Sequence, residues 1–200
     1  MNTYQQTIHT YQQNAALFAS KFDAILPRVE HIAETFQQVR KKNPFVLEVG
    51  CGSGKDAQEI LKRTHNYLGI DVSAGLVASA QKKSPQGAFQ TADITTFSIP
   101  HQVDIIFAFA SLIHLDKQQL RSVFQKFFAA LHPLGVVRFS MKHDQQYKAF
   151  TNQDEFGTRT HYYYSPTEVL ALASGFTMIK NELEQFRDQT WIEMLLQKPA

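Results

Sequence analysis

A short apolar stretch that runs straight into closely spaced glycines constrains this chain more than any other feature. Residues 46–56 read VLEVGCGSGKD, an apolar run with one acid, Glu48, followed by Gly50, Gly52 and Gly54. Glycine permits a sharp turn and, because it lacks a Cβ atom, lets a ligand approach the backbone closely. The stretch therefore predicts a buried strand that ends in a nucleoside-binding loop.

The spacing of these glycines narrows the choice of ligand. A dinucleotide fingerprint is G-x-G-x-x-G, and counted from Gly50 its third glycine position is Lys55. A phosphate-binding P-loop needs Gly-Lys-Ser/Thr at a spacing that this chain lacks. The loop alone is a weak signal, since some glycine turns bind nothing, but it disfavours NAD or FAD and excludes a P-loop.

Three acids stand where they can recognise a nucleoside. Asp71 ends a second apolar segment, 21 residues after Gly50, and a carboxylate there can accept from ribose hydroxyls or else start a helix before Ser73. Asp93 follows a third segment and can accept from the adenine amine or simply favour a turn. Glu48 lies inside a strand, where a buried carboxylate is costly unless a positively charged ligand or the donors of the loop offset it.

Short apolar runs alternate with helical segments along the rest of the chain. The predicted strands are 45–49, 66–70, 87–91, 103–108, 135–140, 176–179 and 191–196. The predicted helices are 12–26, 27–40, 55–63, 74–83, 116–131 and 165–175, with Ser165 as a cap and a loop over 142–164. This alternation is typical of an α/β protein, a three-layer α/β/α sandwich with a mostly parallel sheet. The two late strands predict an antiparallel hairpin.

Composition sets the broad class. The 200 residues fit one domain over 1–200, and an apolar fraction of 44% is that of an ordinary soluble protein. A net charge of +2 is too small to indicate a nucleic-acid or membrane partner. The single cysteine, Cys51, excludes an intramolecular disulfide and suits a reducing compartment. With no secretory signal pattern and no apolar stretch of membrane-spanning length, we expect a cytoplasmic protein.

Taken in order, these segments resemble the motifs of the class I S-adenosylmethionine-dependent methyltransferase family. The matching stretches are VLEVGCGSGKD, GIDVS at 69–73, TADI at 91–94, VDIIFAFASLIHL at 103–115 and LHPLGVVRFSMK at 131–142. The resemblance implies a Rossmann-like sheet of seven strands with an antiparallel last strand. It also implies a helical lid at 1–42, a cofactor-binding half at 43–142 and a substrate-side half at 143–200. The chain departs from the family at Leu134, where a glycine is usual.

The same resemblance implies S-adenosylmethionine as cofactor and S-adenosylhomocysteine as product. The cofactor contacts it implies are Tyr11, Lys21, Glu48, Gly50, Cys51, Gly52, Ser53, Gly54, Asp56, Asp71, Val72, Ala92, Asp93, Ile94, Phe109 and Ala110. The glycine loop would pass under the methionine part, Asp71 would hold the ribose, and Asp93 would take the adenine amine. Tyr11 and Lys21, on the lid, would reach the far end of the cofactor.

The catalytic and acceptor-binding residues are less constrained. His114 follows the fourth strand and is a candidate general base, with a packing or capping histidine as the alternative. Arg159, His161 and Tyr163, on the long loop, are candidates for acceptor binding, and Arg187 and Trp191 weaker ones; the alternative is a surface hairpin with aromatics packed on the core. No residue pattern indicates a metal site.

We expect transfer of a methyl group to an oxygen or nitrogen of a small molecule. Amino methylation of adenine or glutamine usually shows Asn/Asp-Pro-Pro-aromatic after the fourth strand, where this chain reads Phe109-Ala110-Ser111. Cytosine C5 methylation needs a cysteine that is not in the glycine loop. A non-catalytic or regulatory S-adenosylmethionine-binding protein remains an alternative, and an NAD-dependent oxidoreductase a weaker one. A protein or tRNA acceptor is a further alternative, and oligomeric state and acceptor identity stay open.

Overall fold

The central element is a sheet of seven strands. The computed structural model describes residues 2–200, and within them the strands, of which β6 and β7 lie outside the main sheet, are β1 (Val46–Val49), β2 (Tyr67–Asp71), β3 (Ala88–Thr91), β4 (Val103–Phe109), β5 (Leu131–Lys142), β6 (Lys148–Asp154), β7 (Gly157–Tyr163), β8 (Thr177–Phe186) and β9 (Gln189–Gln197). The order in the main sheet is β3-β2-β1-β4-β5-β9-β8. Strands β1 to β5 pair in parallel, and β9 inserts antiparallel between β5 and β8. The predicted fold is confirmed.

Helices cover both faces of this sheet. They are α1 (Thr3–Gln13), α2 (Ala15–Asp23), α3 (Val29–Gln37), α4 (Ala57–Ile60), α5 (Ala74–Lys83), α6 (Lys117–Ala130) and α7 (Pro166–Leu172). One apolar cluster joins the sheet to α6 and α7, and a second joins it to α3 and α4. No helix within residues 2–200 is both long and apolar enough to cross a membrane.

The N-terminal helices differ from the predicted ones. Helical structure begins at Thr3 rather than at residue 12, and Asn14, whose backbone is not helical, divides α1 from α2. The start of α1 lacks an apolar stripe because its buried residues are Thr7 and Thr10. Both are satisfied by β7: Thr7 Oγ accepts from Thr160 N at 3.0 Å, and Thr10 Oγ donates to Thr158 O at 2.7 Å. Hydrogen bonds through its buried threonines therefore help to seat this helix on β7.

The segment predicted as a loop over 142–164 contains the antiparallel hairpin β6–β7, which forms a separate two-stranded sheet. Strand β6 is almost wholly exposed, so its residues show no apolar alternation that predicts a strand. Strand β7 buries its middle, from Arg159 to Tyr162. The hairpin packs its β7 side against α1 and thereby closes over the edge of the main sheet.

Two local predictions have clear outcomes. Ser165 caps α7: its Oγ accepts from Glu168 N, and the Glu168 carboxylate accepts from Ser165 N in return, a capping box. At Leu134, where the related family usually has glycine, φ is +64°. A left-handed backbone strains a leucine, so this turn keeps the glycine-like geometry without the glycine.

Candidate active site

A cavity of about 560 Å³ lies at the carboxyl edge of the parallel strands, under α1 and α2. The predicted site residues that line it are Tyr11, Lys21, Glu48, Gly50, Cys51, Gly52, Ser53, Asp56, Asp71, Val72, Ala92, Ile94, Phe109, Ala110, His114 and Arg159. Gly54, Asp93 and Tyr163 do not line it. Since ligands of open α/β sheets bind at this edge, the cavity is the candidate active site.

The glycine loop forms the floor of the cavity. Gly50 has a φ of +74°, and a Cβ atom placed there would lie 2.3 Å from Cβ of Ser111, in the loop after β4. A Cβ atom at Gly52 would lie 3.3 Å from the Phe22 ring of α2. Gly54 serves packing instead, because its Cβ atom would lie 2.9 Å from Ala80 on α5. The first two glycines keep the floor open, and the third seats the loop on a helix.

Asp71 connects the end of β2 to this loop. Its Oδ2 accepts from Gly52 N at 3.0 Å and its Oδ1 from Ser73 N at 2.9 Å. Burial raises the pKa of this carboxyl to about 6, and the backbone donors act in the opposite direction. A carboxylate has about four acceptor sites, so Asp71 can still accept from a ligand in the cavity.

Glu48 is a buried acid beneath the loop. Tyr67 Oη donates to its Oε2 at 2.5 Å. Burial, and then the nearby carboxylate of Asp56, raise the pKa of Glu48 to about 8. Asp56 itself accepts from Arg28 N and from Lys55 Nζ, each at 2.9 Å. The cavity thus has an acid in its floor that a positively charged ligand would favour in its ionised form.

Arg28, which sequence reasoning missed, lies beside this acid pair. Its side chain pairs with Asp56 at 3.1 Å, and its guanidinium stands 4.8 Å from the centre of the Phe109 ring. The residue lies in the short segment between α2 and α3, where no pattern in the sequence distinguishes it from a surface arginine. It provides a cation at the end of the cavity near β4.

Asp93 lies outside the cavity, and its carboxylate is engaged by protein groups. Its Oδ1 accepts from Tyr4 Oη at 2.6 Å, from Thr95 N at 2.8 Å and from Thr95 Oγ at 2.7 Å. The residue therefore connects α1 to the turn after β3, as its turn-forming alternative anticipated. Its neighbours Ala92 and Ile94 do reach the cavity.

The first two helices are held over the cavity by polar contacts with the loops beneath them. Ser73 Oγ donates to Tyr11 O at 3.1 Å, and Ser53 Oγ donates to Asp23 Oδ1 at 2.7 Å. Gln12 Nε2 donates to the carbonyl of Val72 at 3.3 Å. These contacts hold α1 and α2 over the side of the cavity that the glycine loop and the end of β2 form.

His114 is buried, and both of its ring nitrogens are engaged. Its Nδ1 lies 2.6 Å from Thr160 O, a carbonyl that can only accept, so Nδ1 carries the proton and Nε2 carries the lone pair. The hydroxyl of Tyr11 donates to that lone pair over 3.0 Å. Burial lowers the pKa of His114 to about 4. The geometry therefore favours the packing alternative over the general base.

The part of the cavity next to His114 carries cations. Lys21, Lys142 and Arg159 line it together with His161. Of these, sequence reasoning gave no role to Lys142, which lies at the end of β5. Tyr163 stands behind this group, where its Oη accepts from Lys142 Nζ at 3.3 Å. We call Lys21, Lys142, Arg159 and His161 the cationic end.

A second cluster that the sequence did not reveal lies on the β8–β9 side. The side-chain atoms of His31, Glu184 and Glu193 that could bind a metal ion lie within 4.8 Å of one another. His31 Nε2 is 2.9 Å from Glu184 Oε1. Glu193 is buried, which raises the pKa of its carboxyl to about 7. Its Oε2 lies 4.0 Å from Arg138 Nε. A lone acid in the apolar run of β9 is the signal that pointed to Glu48, and it points equally to Glu193.

Comparisons with known proteins agree with this geometry. A family model described as a methyltransferase domain matches residues 46–135. The trans-aconitate 2-methyltransferase of Variovorax paradoxus is 34% identical over 105 residues, which cover 50% of this chain and 39% of that protein. Malonyl-[acyl-carrier protein] O-methyltransferase 1 of Ilyobacter polytropus is 32% identical over 136 residues, 64% of this chain and 50% of that protein. This chain thus spans half or less of the length of these two curated relatives.

Solved structures share the fold. A SAM-dependent methyltransferase of Methanosarcina mazei has a TM-score of 0.73 at 14% identity, covering 82% of this chain and 97% of that one. The N-methyltransferase NodS of Bradyrhizobium japonicum, in complex with S-adenosylhomocysteine, has a TM-score of 0.70 at 17% identity, covering 96% and 100%. At these identities the likeness shows a common architecture.

Proposed function

We propose that this chain is a member of the class I S-adenosylmethionine-dependent methyltransferase family and that it transfers a methyl group from S-adenosylmethionine to a small-molecule acceptor. One observation carries the proposal: the glycine loop, Asp71 and Glu48 all face a single cavity at the carboxyl edge of the sheet. Its volume of about 560 Å³ is that of a small-molecule site.

The residues present fit the cofactor. Gly50 and Gly52 line the cavity without side chains, and Asp71 offers free acceptor sites for the ribose hydroxyls. Glu48 places an acid under a ligand that carries a positive sulfur. The bound cofactor supplies an electrophilic methyl group. The chain then has to hold the acceptor in line with it and exclude water, which is how positioning accelerates a reaction between two molecules.

The three parts of the chain take different tasks in this proposal. Residues 1–42 cover the site, residues 43–142 hold the cofactor, and residues 143–200 provide most of the acceptor side. The curated relatives support an acceptor of low molecular weight and transfer to oxygen, since one is named for trans-aconitate and the other is an O-methyltransferase. The net charge of +2 gives no support to a nucleic-acid acceptor.

Calorimetry with S-adenosylmethionine, S-adenosylhomocysteine and NAD tests the cofactor. Wild type should bind the first two and not NAD. Asp71→Ala should weaken that binding by about 10- to 100-fold, since a hydrogen bond to a charged group contributes about 1.5–3 kcal/mol. Asp144→Asn, a change outside the cavity, is the control. Binding of NAD alone, or binding indifferent to Asp71, would contradict the proposal. Tight binding without turnover would favour the non-catalytic alternative.

A further inference from the structure

We propose that the methyl acceptor is a small organic carboxylate, bound at the cationic end of the cavity and methylated on a carboxylate oxygen. The inference rests on the proposed function and adds the chemical class of the acceptor. It is drawn from the charges, the unpartnered donors and the proton chemistry of Lys142, Arg159 and His161, which lie beside Lys21, the lysine that the family resemblance gives to the cofactor.

Charge at the cationic end is not balanced by the protein. Arg159 Nη2 pairs with Asp154 Oδ2 at 2.5 Å, but neither Lys21 nor Lys142 makes an ion pair within the part of the chain that the structure describes. The ammonium of Lys21 stands 4.0 Å from the centre of the Phe156 ring. Burial, and then the charge of Arg159, lower the pKa of Lys21. An anion bound here would relieve this repulsion between like charges.

Two buried donors at this end have no partner. Arg159 and His161 are 5% and 7% exposed. For Arg159 Nε and His161 Nδ1, residues 2–200 provide no hydrogen-bond partner. Buried polar groups are nearly always satisfied, so each such exception requires an explanation. A carboxylate accepts through both oxygens and is the kind of ligand that such donors bind, with His161 donating in the tautomer that protonates Nδ1.

The proton chemistry of the site agrees with this acceptor. A carboxylate is already ionised at neutral pH, so its oxygen can attack the methyl carbon directly. The new O–C bond forms as the S–C bond breaks; the products are a methyl ester and a neutral thioether, and no proton moves. A base is unnecessary, and the histidines here are poor bases. The Nε2 lone pair of His114 is occupied by Tyr11. Burial, and then His114, lower the pKa of His161 to about 2.

The first test identifies the acceptor class without knowing the acceptor. The full chain is incubated with methyl-tritiated S-adenosylmethionine and a deproteinised small-molecule extract of the organism that encodes it. The labelled product is then treated with mild alkali. A methyl ester releases its label as volatile methanol, which is the expected result. Label that stays bound, as in an N-methyl, ether or phosphate product, would overturn the inference. If the chain did not bind S-adenosylmethionine at all, the result would contradict the proposed function rather than this inference.

The second test measures recognition. Succinate and its uncharged analogue succinamide are titrated by calorimetry into the complex with S-adenosylhomocysteine. We expect succinate to bind more tightly. Arg159→Gln should weaken the affinity for succinate by about 10- to 100-fold while the affinity for S-adenosylhomocysteine stays unchanged. Arg159→Lys should recover part of the lost affinity for succinate. Arg63→Gln, outside the cavity, should change neither. Equal binding of the two probes, or insensitivity to Arg159, would overturn the inference.

Discussion

Tyr11 on α1 and His114 after β4 meet across the cavity, where the tyrosine hydroxyl donates to Nε2 of the imidazole over 3.0 Å. The contact joins residues 103 positions apart. Because Nδ1 donates to Thr160 O, one histidine holds both α1 and β7 in place. Burial also raises the pKa of Tyr11 to about 12, so the phenol remains a donor at neutral pH.

This pair predicts the effect of changing His114. Asn keeps a donor near the position of Nδ1 and removes the imidazole, so we expect His114→Asn to lower the rate constant of methyl transfer less than 10-fold. A general base typically contributes about 10²–10⁴-fold. A pH–rate profile of both proteins should show no limb that belongs to His114. A loss of more than 100-fold in kcat with KM unchanged would show that His114 acts as a general base.

Removing the other partner should act on stability. Tyr11→Phe leaves the Nε2 lone pair without its donor, and we expect the free energy of unfolding to fall by about 0.5–1.5 kcal/mol. Denaturant titration measures this change. Tyr163→Phe, a phenol outside the cavity, is the matched control. If both variants lost the same free energy of unfolding, the hydrogen bond from Tyr11 to His114 would not contribute specifically to stability.

Glu48 predicts a dependence of stability on pH. Its pKa of about 8 in the folded protein exceeds its ordinary value of 4.5, so the folded state keeps a proton that the unfolded chain has lost. The contribution of Glu48 to stability is therefore fully present below pH 4.5 and is lost as the pH rises towards 8. Asp71 and Glu193, with pKa values of about 6 and 7, act in the same direction.

Glu48→Gln isolates this contribution. The amide keeps a partner for the Tyr67 hydroxyl but cannot ionise, so Tm should fall less steeply between pH 6 and 8 than in wild type. Scanning calorimetry over that range measures the slope. Glu155→Gln, at an exposed position, should leave the slope as it is. An unchanged slope in Glu48→Gln would show that Glu48 titrates like an ordinary acid.

Gly50 predicts a severe local effect. Alanine there combines a backbone at φ +74° with a Cβ atom 2.3 Å from that of Ser111. Positive φ and overpacking each cost about 1–3 kcal/mol, so Gly50→Ala should lose about 2–6 kcal/mol of unfolding free energy. Adding Ser111→Gly removes the contact but not the backbone strain and should recover only part. Full recovery would mean that the φ value has no cost.

Leu134 predicts a gain. The residue is 54% exposed and has a φ of +64°, so glycine removes backbone strain at little loss of buried surface. A left-handed backbone costs leucine about 1–2 kcal/mol and glycine costs about 0.5–1 kcal/mol in entropy, which leaves a net gain of about 0–1.5 kcal/mol. Leu134→Ala keeps the strain and should give no gain. Thermal unfolding of both variants distinguishes them.

The parts of the fold that are set by local apolar pattern were predictable. The inner strands of the main sheet contain apolar runs, and β4 is buried at every position, so its run is unmistakable. The two edge strands, β3 and β8, are mostly exposed and give a weaker pattern. Strand β6 was missed because it is exposed, and the start of α1 was missed because Thr7 and Thr10 are buried through hydrogen bonds to β7. A contact made 148 residues away leaves no periodic trace.

The candidate site divides in the same way. Residues of the glycine loop and Asp71 lie in consecutive motifs, and all of them except Gly54 line the cavity. His31, Glu184 and Glu193 come from α3, β8 and β9 and meet only through the sheet topology. His114 shows the limit of residue type as evidence. Its position after β4 was predicted, whereas its protonation depends on a carbonyl of β7 that only the folded chain brings near.

The hairpin β6–β7 stands apart from the main sheet, yet Arg159 and His161 sit on it. If these two residues bind the acceptor as proposed, replacements in 148–163 would change which molecules are accepted while the strands beneath the glycine loop keep their pairing. The backbone of β7 also holds α1 through Thr158 and Thr160. A hairpin grafted between β5 and α7 to alter acceptor choice would therefore have to keep those two backbone contacts, or the helix over the glycine loop would lose its support.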